Sequence, residues 1–406
     1  MEEAYLILEY SIAGEKYDEK ISFHIIPEII TINTEIEFST LDGVLPYEEL
    51  GLSDIEVLSA KQGDRTLSVA QGNRILDVKI SVLEDKSDVD YVELLLETEN
   101  FTYKLTRVKA YSKIIETAED LAVLDIVTDD YRLDGYYLLK NNIDLEGATF
   151  WHKGVYGSGS ELDGDGGFYG IFEGNGYTIS NLKATYCGLF GRIGEGAIIR
   201  NLGVANVDVK GVKGFSTGIG GVGLAYRIKG SSDAQTLLDN VYIHIDPNDI
   251  NATHSSLYGA IAFRQSNEYV SYHSVIVEYN PLVDSSIKSY DKGSLFMYQS
   301  DEDVHLKDAM QEVYVISRIE KLIEWRTEEP SEEKPEGAYA YRYYAENEGK
   351  TESTNDKIYV YKNVRRYDSF TEFDADTDKS ITGFVSEYWD FSGNGSIWAS
   401  MTIEEE

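Results

Sequence analysis

Between Phe168 and Val209 no apolar run is long enough for a helix, which takes about ten or more residues of sustained periodicity. The apolar words are short: Ile171-Phe172, Tyr177-Thr178-Ile179, Gly188-Leu189-Phe190-Gly191, Ala197-Ile198-Ile199 and Leu202-Gly203-Val204. Gly and Asn separate them, and both residue types enter positive φ at low cost. The spacing predicts short strands wound as coils, each covering the apolar face of the coil before it.

The pattern continues down the chain with two words per turn. The first words are Gly188-Leu-Phe-Gly191, Gly221-Val-Gly-Leu-Ala225, Gly259-Ala-Ile-Ala262, Gly293-Ser-Leu-Phe296 and Gly337-Ala-Tyr-Ala340. Each is followed by a strand entered from a polar residue: Asn201-Leu202, Asn240-Val241, Ser274-Val275, Glu312-Val313 and Lys357-Ile358. From Leu202 through Val241, Val275 and Val313 to Ile358 the steps are 39, 34, 38 and 45 residues. Unequal steps place loops of different length on one side, where surface function usually resides. The charged run Thr327–Gly337 reads as an exposed loop that lengthens the last step. Glu312–Ser317 reads as a strand because its Val-Tyr-Val-Ile is rich in β-branched residues, and a helix is expected to follow over Ile319–Trp325. In this count Arg192, Arg200, Arg227 and Arg264 share no phase.

Before the coils, residues 1–111 alternate apolar and polar positions. Candidate strands are Ala4–Tyr10, Lys20–Ile26, Ile30–Phe38, Ile55–Ala60, Ile75–Leu83, Tyr91–Thr98 and Phe101–Val108, with a hairpin link at Thr98-Glu-Asn-Phe101. That many short strands in so few residues predicts an immunoglobulin-like sandwich, with a different small β-domain as the alternative. Thr117-Ala-Glu-Asp120 forms a capping box ahead of Leu121 and Leu124, so a short helix near 118–126 is expected to cover the open end of the coils.

At these residues the chain resembles a known group. Phe172-Glu-Gly-Asn-Gly-Tyr-Thr-Ile-Ser-Asn-Leu182, Gly188-Leu-Phe-Gly191 and Ile199-Arg-Asn-Leu202 resemble the GLUG-motif repeats of bacterial surface proteins. Thr117–Leu121 and Tyr137–Leu145 are similar to the lead-in that such repeats carry. The resemblance covers Thr117 to Val209 and weakens beyond it. It implies a right-handed parallel β-helix, as in adhesins, surface proteases outside their catalytic parts and some phage structural proteins. The expected fold is therefore all-β. An immunoglobulin-like β-sandwich over 1–111 precedes a β-helix of about five rungs over 112–365. Residues 366–406, dense in aromatics, form a C-terminal cap.

Charge narrows the partners. Lys and Arg total 36 against 72 Asp and Glu, a net charge of −36. Nucleic acid is excluded as a partner, because its binding rests on cationic neutralisation, and anionic membranes and anionic glycans are poor partners for the same reason. Neutral glycans, cations and basic protein patches remain. The single cysteine, Cys187, permits no internal disulfide. Met1-Glu-Glu-Ala carries neither a basic region nor a long apolar run, so no signal peptide is expected, and no run is apolar enough for membrane insertion.

Catalytic patterns are sparse. Six His residues are scattered without H-x-x-x-H or H-E-x-x-H spacing, and neither G-x-S-x-G nor a phosphate-binding loop is present. Asp374, Asp376 and Asp378 have the spacing of the first half of a calcium loop, but Lys379 replaces its glycine and Val385 its closing glutamate. Calcium is the cation this run would take; otherwise no cofactor is expected. Trp151, Tyr156 and Tyr169 near the Gly-rich loop, and Tyr339 and Tyr341 beside the long insertion, are candidate ligand platforms, with stacked strand ladders as the competing reading.

The expected function is that of a non-enzymatic, surface-exposed structural or adhesion protein. It would be a phage virion component (fibre or decoration protein) or a bacterial surface adhesin. Its partner would be a protein or glycan on a host or neighbouring surface, and a homo-oligomer is compatible with the sequence. The alternative is a carbohydrate-active β-helix enzyme, a polysaccharide lyase or hydrolase, which needs carboxylates clustered on one rung face.

Overall fold

The structure, a computed structural model, describes residues 2–25, 29–41, 45, 47–80, 88–125, 132–146, 167–182, 188–208, 223–246, 258–265, 269–279, 293–299, 310–316, 322–327, 338–345, 358–361, 364–367 and 369–378. Among these residues the chain is all-β, with helix confined to Tyr47–Leu50, Asp120–Asp125 and Phe370–Ala375. It divides into two units, Met1–Lys113 and Ile114–Glu406. No helix among the described residues is long and apolar enough to cross a membrane.

The first unit opens with a long hairpin, Glu2–Ile12 paired antiparallel with Glu15–Ile25. Its turn residues Ala13 and Gly14 both have positive φ, 54° and 90°, as a two-residue hairpin turn of type I′ demands. The two strands pair only with each other among the described residues, so they do not enter the expected sandwich. Eleven residues on each strand are matched, and Ile7, Leu8, Tyr10 and Ile12 are exposed.

The main sheet of this unit is built on Thr102–Tyr111. Tyr91–Glu97 pairs antiparallel on one side, followed by Glu56–Gln62 and Arg65–Leu67. On the other side Ile29–Ile32 and Ile36–Ser39 both pair parallel, so the expected strand Ile30–Phe38 is two strands. Alternation decides the faces: Val92, Leu94 and Leu96 are buried with Ile36, Phe38, Leu105 and Val108. The strand expected over Ile75–Leu83 is limited to Arg74–Ile75 in its described part. Asp77 takes φ 60° there, and the Gln62 side chain satisfies Lys79 in place of a strand partner, donating to its O at 2.6 Å and accepting from its N at 3.0 Å. Within the strand Thr102–Tyr111, Lys109 pairs with Asp88 and Glu35. Burial alone would lower the Lys109 pKa, but its hydrogen bonds to Asp88 and Glu35 outweigh it and hold the ammonium above the ordinary lysine range.

The second unit alternates between two sheets. One runs through Tyr136–Leu139, Ile171–Glu173, Ile198–Asp208, Thr236–Asp246, Val270–Tyr279, Met310–Ile316 and Val364–Tyr367, with every neighbour parallel. The other runs through Arg132–Leu133, Gly167–Phe168, Arg192–Ile193, Ala225–Ile228, Tyr258–Gln265, Gly293–Gln299 and Leu322–Thr327, again parallel. Both sheets contribute to one core, with Phe168, Phe172 and Phe190 at its first turns. The expected repeat appears residue for residue in the register Leu202, Val241, Val275 and Val313. The last step differs: Val313 pairs with Val364, while Ile358 lies in the other sheet beside Arg342.

Ahead of this column each chain bends. Asn201, Asn240, Ser274 and Glu312 occupy successive strands at one register with φ of 51°, 52°, 50° and 56°. Asn tolerates this left-handed conformation best among residues with a side chain. Gly174 takes the position one turn earlier, and a Cβ there would lie 2.3 Å from Asn201 O. The bend splits the long strand Ile198–Asp208, so that its first part pairs with Ile171–Glu173 and its second with Thr178–Ser180.

Two short helices belong to this unit among the described residues. Asp120–Asp125 lies within the expected span, and its capping box is reciprocal: Asp120 N donates to Thr117 Oγ1 at 3.3 Å and Thr117 N to Asp120 Oδ2 at 3.0 Å. Phe370–Ala375 is capped by Ser369, and its Phe373 packs edge-on against Tyr314 and Tyr367. The helix expected over Ile319–Trp325 is instead, from Leu322, the strand Leu322–Thr327. It pairs antiparallel with Ala338–Ala345, and this ladder overrides a local helical stripe in a segment with Ile, Trp and Thr. Within the expected loop Thr327–Gly337, residues 328–337 lie outside the described residues, as do residues 379–406 of the expected cap.

Candidate functional site

The most distinctive chemical feature is a register column in the second sheet. Arg132 pairs with Gly167, which precedes Phe168 as Arg192 precedes its partner Ile193. Arg192 then pairs with Arg227 and Arg227 with Arg264. Four arginines thus occupy one register over five turns, and only Gly167 interrupts them. Leu133, Phe168, Ile193 and Ile228, one residue further along, lie in the core. Strand alternation therefore sets Arg192 and Arg227 on the face away from that core.

Three of the four arginines expected to share no phase are thus aligned. The reason is the choice of word start: Gly188, Gly221 and Gly259 lie 4, 6 and 5 residues before their arginines, whereas the strands pair at constant offsets of 35 and 37. Counted from Gly223 in place of Gly221, Arg227 falls four residues on, as Arg192 does from Gly188. The detectable signal was the shared spacing of Gly188-Leu-Phe-Gly-Arg192, Gly223-Leu-Ala-Tyr-Arg227 and Ala260-Ile-Ala-Phe-Arg264.

Arg192 is buried at 4% exposure, and Arg227 is half-buried. Gly167 makes room for Arg192, since a Cβ on it would lie 2.8 Å from Arg192 Cβ. Two residues along the same face, the half-buried Tyr169 lays its ring over Gly194, where a Cβ would meet ring carbon Cε1 at 2.1 Å. Lys229, the register neighbour of Gly194, pairs with Glu195 at 2.8 Å.

Arg200 lies in the other sheet. Its Nε donates to Glu173 Oε2 at 2.5 Å and its guanidinium to Tyr136 Oη at 3.0 Å. Burial works against the Arg200 charge, but Glu173 and Tyr136 more than offset it, and the pKa stays raised. The same register continues through Asp239 to His273. His273 Nδ1 is 2.7 Å from Asp239 Oδ1, its Nε2 is 3.4 Å from Glu312 Oε2, and Ser274 Oγ donates to Glu312 at 2.9 Å. Acidic and basic residue types alternate up this register.

A third cluster is buried. Tyr242 Oη donates to Glu278 Oε2 at 2.7 Å, and His244, the register neighbour of Glu278, accepts from Asn206 N at Nδ1. That acceptance leaves the proton of a neutral His244 on Nε2.

The sequence candidates distribute unevenly. Trp151 and Tyr156 lie outside the described residues. Tyr169 joins the arginine face. Tyr339 and Tyr341 lie on the strand Ala338–Ala345, opposite Arg326 and Glu324. Asp374 is exposed on the last helix, and Asp378 N donates to Asp376 Oδ1 at 2.8 Å. Asp376 Oδ2 accepts from Tyr367 Oη and Arg365, and these bonds, led by that from Tyr367, hold its carboxyl below the usual range. Asp376 thus serves as a helix cap and ion-pair partner. Among the described residues no group of three or more His, Cys, Asp or Glu is placed to hold a metal ion.

Comparison with known protein families, curated proteins and solved structures finds no match to this chain.

Proposed function

We propose that the chain is a non-enzymatic structural or adhesion protein displayed on an outer surface, either as a phage virion component or as a bacterial surface adhesin. In this reading the second unit is a right-handed parallel β-helix and the first an immunoglobulin-like domain. The observation that carries it is the in-register parallel stack, in which Leu202, Val241, Val275 and Val313 form one core column under a continuous column of bends. Such a stack is a stiff scaffold that presents residues in straight outward rows. The test is immunogold labelling of intact particles and cells with antibody to the whole chain, alongside binding of the purified chain to host cells. Surface label with saturable binding supports the reading; label confined to the cytoplasm sinks it.

One observation favours the enzyme alternative. Glu278 and His244 are buried side by side next to Tyr242, as groups in acid–base chemistry on polysaccharides are. Release of reducing ends from a glycan panel, abolished by Glu278→Gln, would establish that reading in place of the first.

A further inference from the structure

We propose that the hairpin Glu2–Ile12/Glu15–Ile25 accepts a third strand, from a basic segment of a partner protein, along the edge of Glu15–Ile25. The proposal rests on the surface-contact reading for its setting and names the chemistry of the partner.

The register sorts the described side chains of the hairpin onto two faces. Leu8, Tyr10 and Ile12 lie opposite Glu19, Tyr17 and Glu15, and Ile21 lies one pair further along the same face. The five apolar residues of this face are between 41% and 60% exposed. Tyr10 and Tyr17 stack at its centre with ring centroids 5.7 Å apart. The other face carries Glu9, Lys16, Asp18 and Lys20, whose formal charges cancel. A contiguous exposed apolar face marks an interaction site. A two-stranded hairpin is marginal in water, whereas three strands with an apolar face hold together. Among the described residues no further strand pairs with either edge. The hairpin is therefore a sheet short of a strand, and an extended segment supplies one through backbone hydrogen bonds.

Charge selects the occupant. Among the described side chains of the apolar face the only charged ones are Glu15 and Glu19, both exposed. They flank Tyr17 along one strand and stand about 14 Å apart at about 3.4 Å per residue. A covering segment without cations would strip water from these carboxylates uncompensated. A second copy brings the same face, with acid and no base, and two chains of net charge −36 repel each other. Opposite charges on neighbouring strands stabilise each other, as do aromatic and β-branched residues. The edge therefore fits a strand that reads basic-x-apolar-x-basic against Glu15, Tyr17 and Glu19.

The test is fluorescence anisotropy of a labelled peptide, Lys-Thr-Val-Thr-Lys-Thr-Val-Thr-Lys, titrated with the full chain at low and moderate salt. Its side-chain pattern is the same in both directions, so it serves parallel and antiparallel addition alike. Three controls are a version with Glu for Lys, a permuted version with Lys and Val on opposite faces, and a version with two adjacent prolines at its centre, which remove ladder donors. Binding of the first peptide alone is expected, weakening with salt and about fivefold weaker to Glu15→Gln/Glu19→Gln. Far-UV circular dichroism shows whether that variant keeps the fold. Hydrogen exchange on the unaltered chain gives a second reading, in which the peptide should slow the amides of Glu15–Ile25. The proposal is overturned by absence of binding, by any control binding as tightly, by unchanged affinity in a folded variant, or by exchange that the peptide leaves unchanged. A stable dimer in sedimentation that the peptide dissociates would assign the edge to a second copy and likewise overturn it. If the peptide fails while the chain still binds host cells, the hairpin assignment falls and the surface reading stands. Peptide binding without surface label upholds the hairpin assignment and removes the surface reading.

Discussion

Tyr242 donates its hydroxyl to Glu278 on the adjacent strand at 2.7 Å, with both side chains buried. A buried carboxylate that loses a donor pays its desolvation without return. Tyr242→Phe is expected to destabilise the second unit by about 3 kcal/mol. Glu278→Gln, which keeps an acceptor and removes the charge, should cost less. Urea unfolding of both variants orders them; a harmless Tyr242→Phe would show that the hydroxyl contributes nothing.

Tyr47 is the opposite case. Its hydroxyl is buried without a hydrogen-bond partner, and burial pushes its pKa up to about 12. Removing the oxygen ends an uncompensated desolvation. Tyr47→Phe should therefore stabilise the first unit by about 1 kcal/mol, read as a higher urea midpoint with unchanged slope.

The Glu35 carboxyl is held below its ordinary value of 4.5, first by its hydrogen bond from Lys109, with Tyr91 and Arg107 adding to it. A carboxylate with a depressed folded pKa contributes stability that is present above its unfolded value and lost as pH falls through the folded one. The first unit should lose stability on acidification below about 4.5. In Glu35→Gln that part of the pH dependence should flatten, which thermal melts from neutral to acid pH would reveal.

Asn240 bends the chain at φ 52° and donates to Asn201 Oδ1 at 3.3 Å. Asn240→Ala should cost about 1–2 kcal/mol, because a Cβ without a polar side chain disfavours the left-handed region. Asn240→Gly should cost less despite losing the same hydrogen bond. If Gly proves as harmful as Ala, backbone strain is not what governs this corner.

Among the described residues the hairpin Glu2–Ile12/Glu15–Ile25 has no strand partner beyond itself. Deleting residues 2–25 should leave the thermal midpoint of the remaining chain unchanged. A marked drop would mean that the exposed Leu8, Tyr10 and Ile12 are covered in solution.

The sequence carried the coils because their core column repeats. Leu202, Val241, Val275 and Val313 stand out as polar-entered β-branched or aliphatic words, and pairing follows them. It failed at Ile358 because Lys357-Ile-Tyr-Val copies the same local pattern in a strand of the other sheet, and only long-range pairing separates Ile358 from Val364. The helix expected over Ile319–Trp325 failed for the same reason: a helical stripe is local, whereas the ladder with Ala338–Ala345 is not. Of the candidate site, Tyr169 was legible as an aromatic beside a Gly-rich loop. The arginine column was not, because the second word was counted from Gly221, two residues ahead of Gly223, the position that matches Gly188. Where a word is taken to begin is invisible in composition, yet a shift of one or two residues decides which side chains are counted in one row.

The antiparallel joint between Leu322–Thr327 and Ala338–Ala345 reverses the polarity of one sheet, and Ile358–Tyr361 then follows the reversed direction. Gene duplication lengthens a repeat array by copying turns that dock head to tail. Copies inserted before Leu322 would meet edges running the same way as themselves. A copy appended after Tyr361 would meet that sheet running backwards, so the reversal sets a length that tandem duplication at this end could not extend without first erasing it.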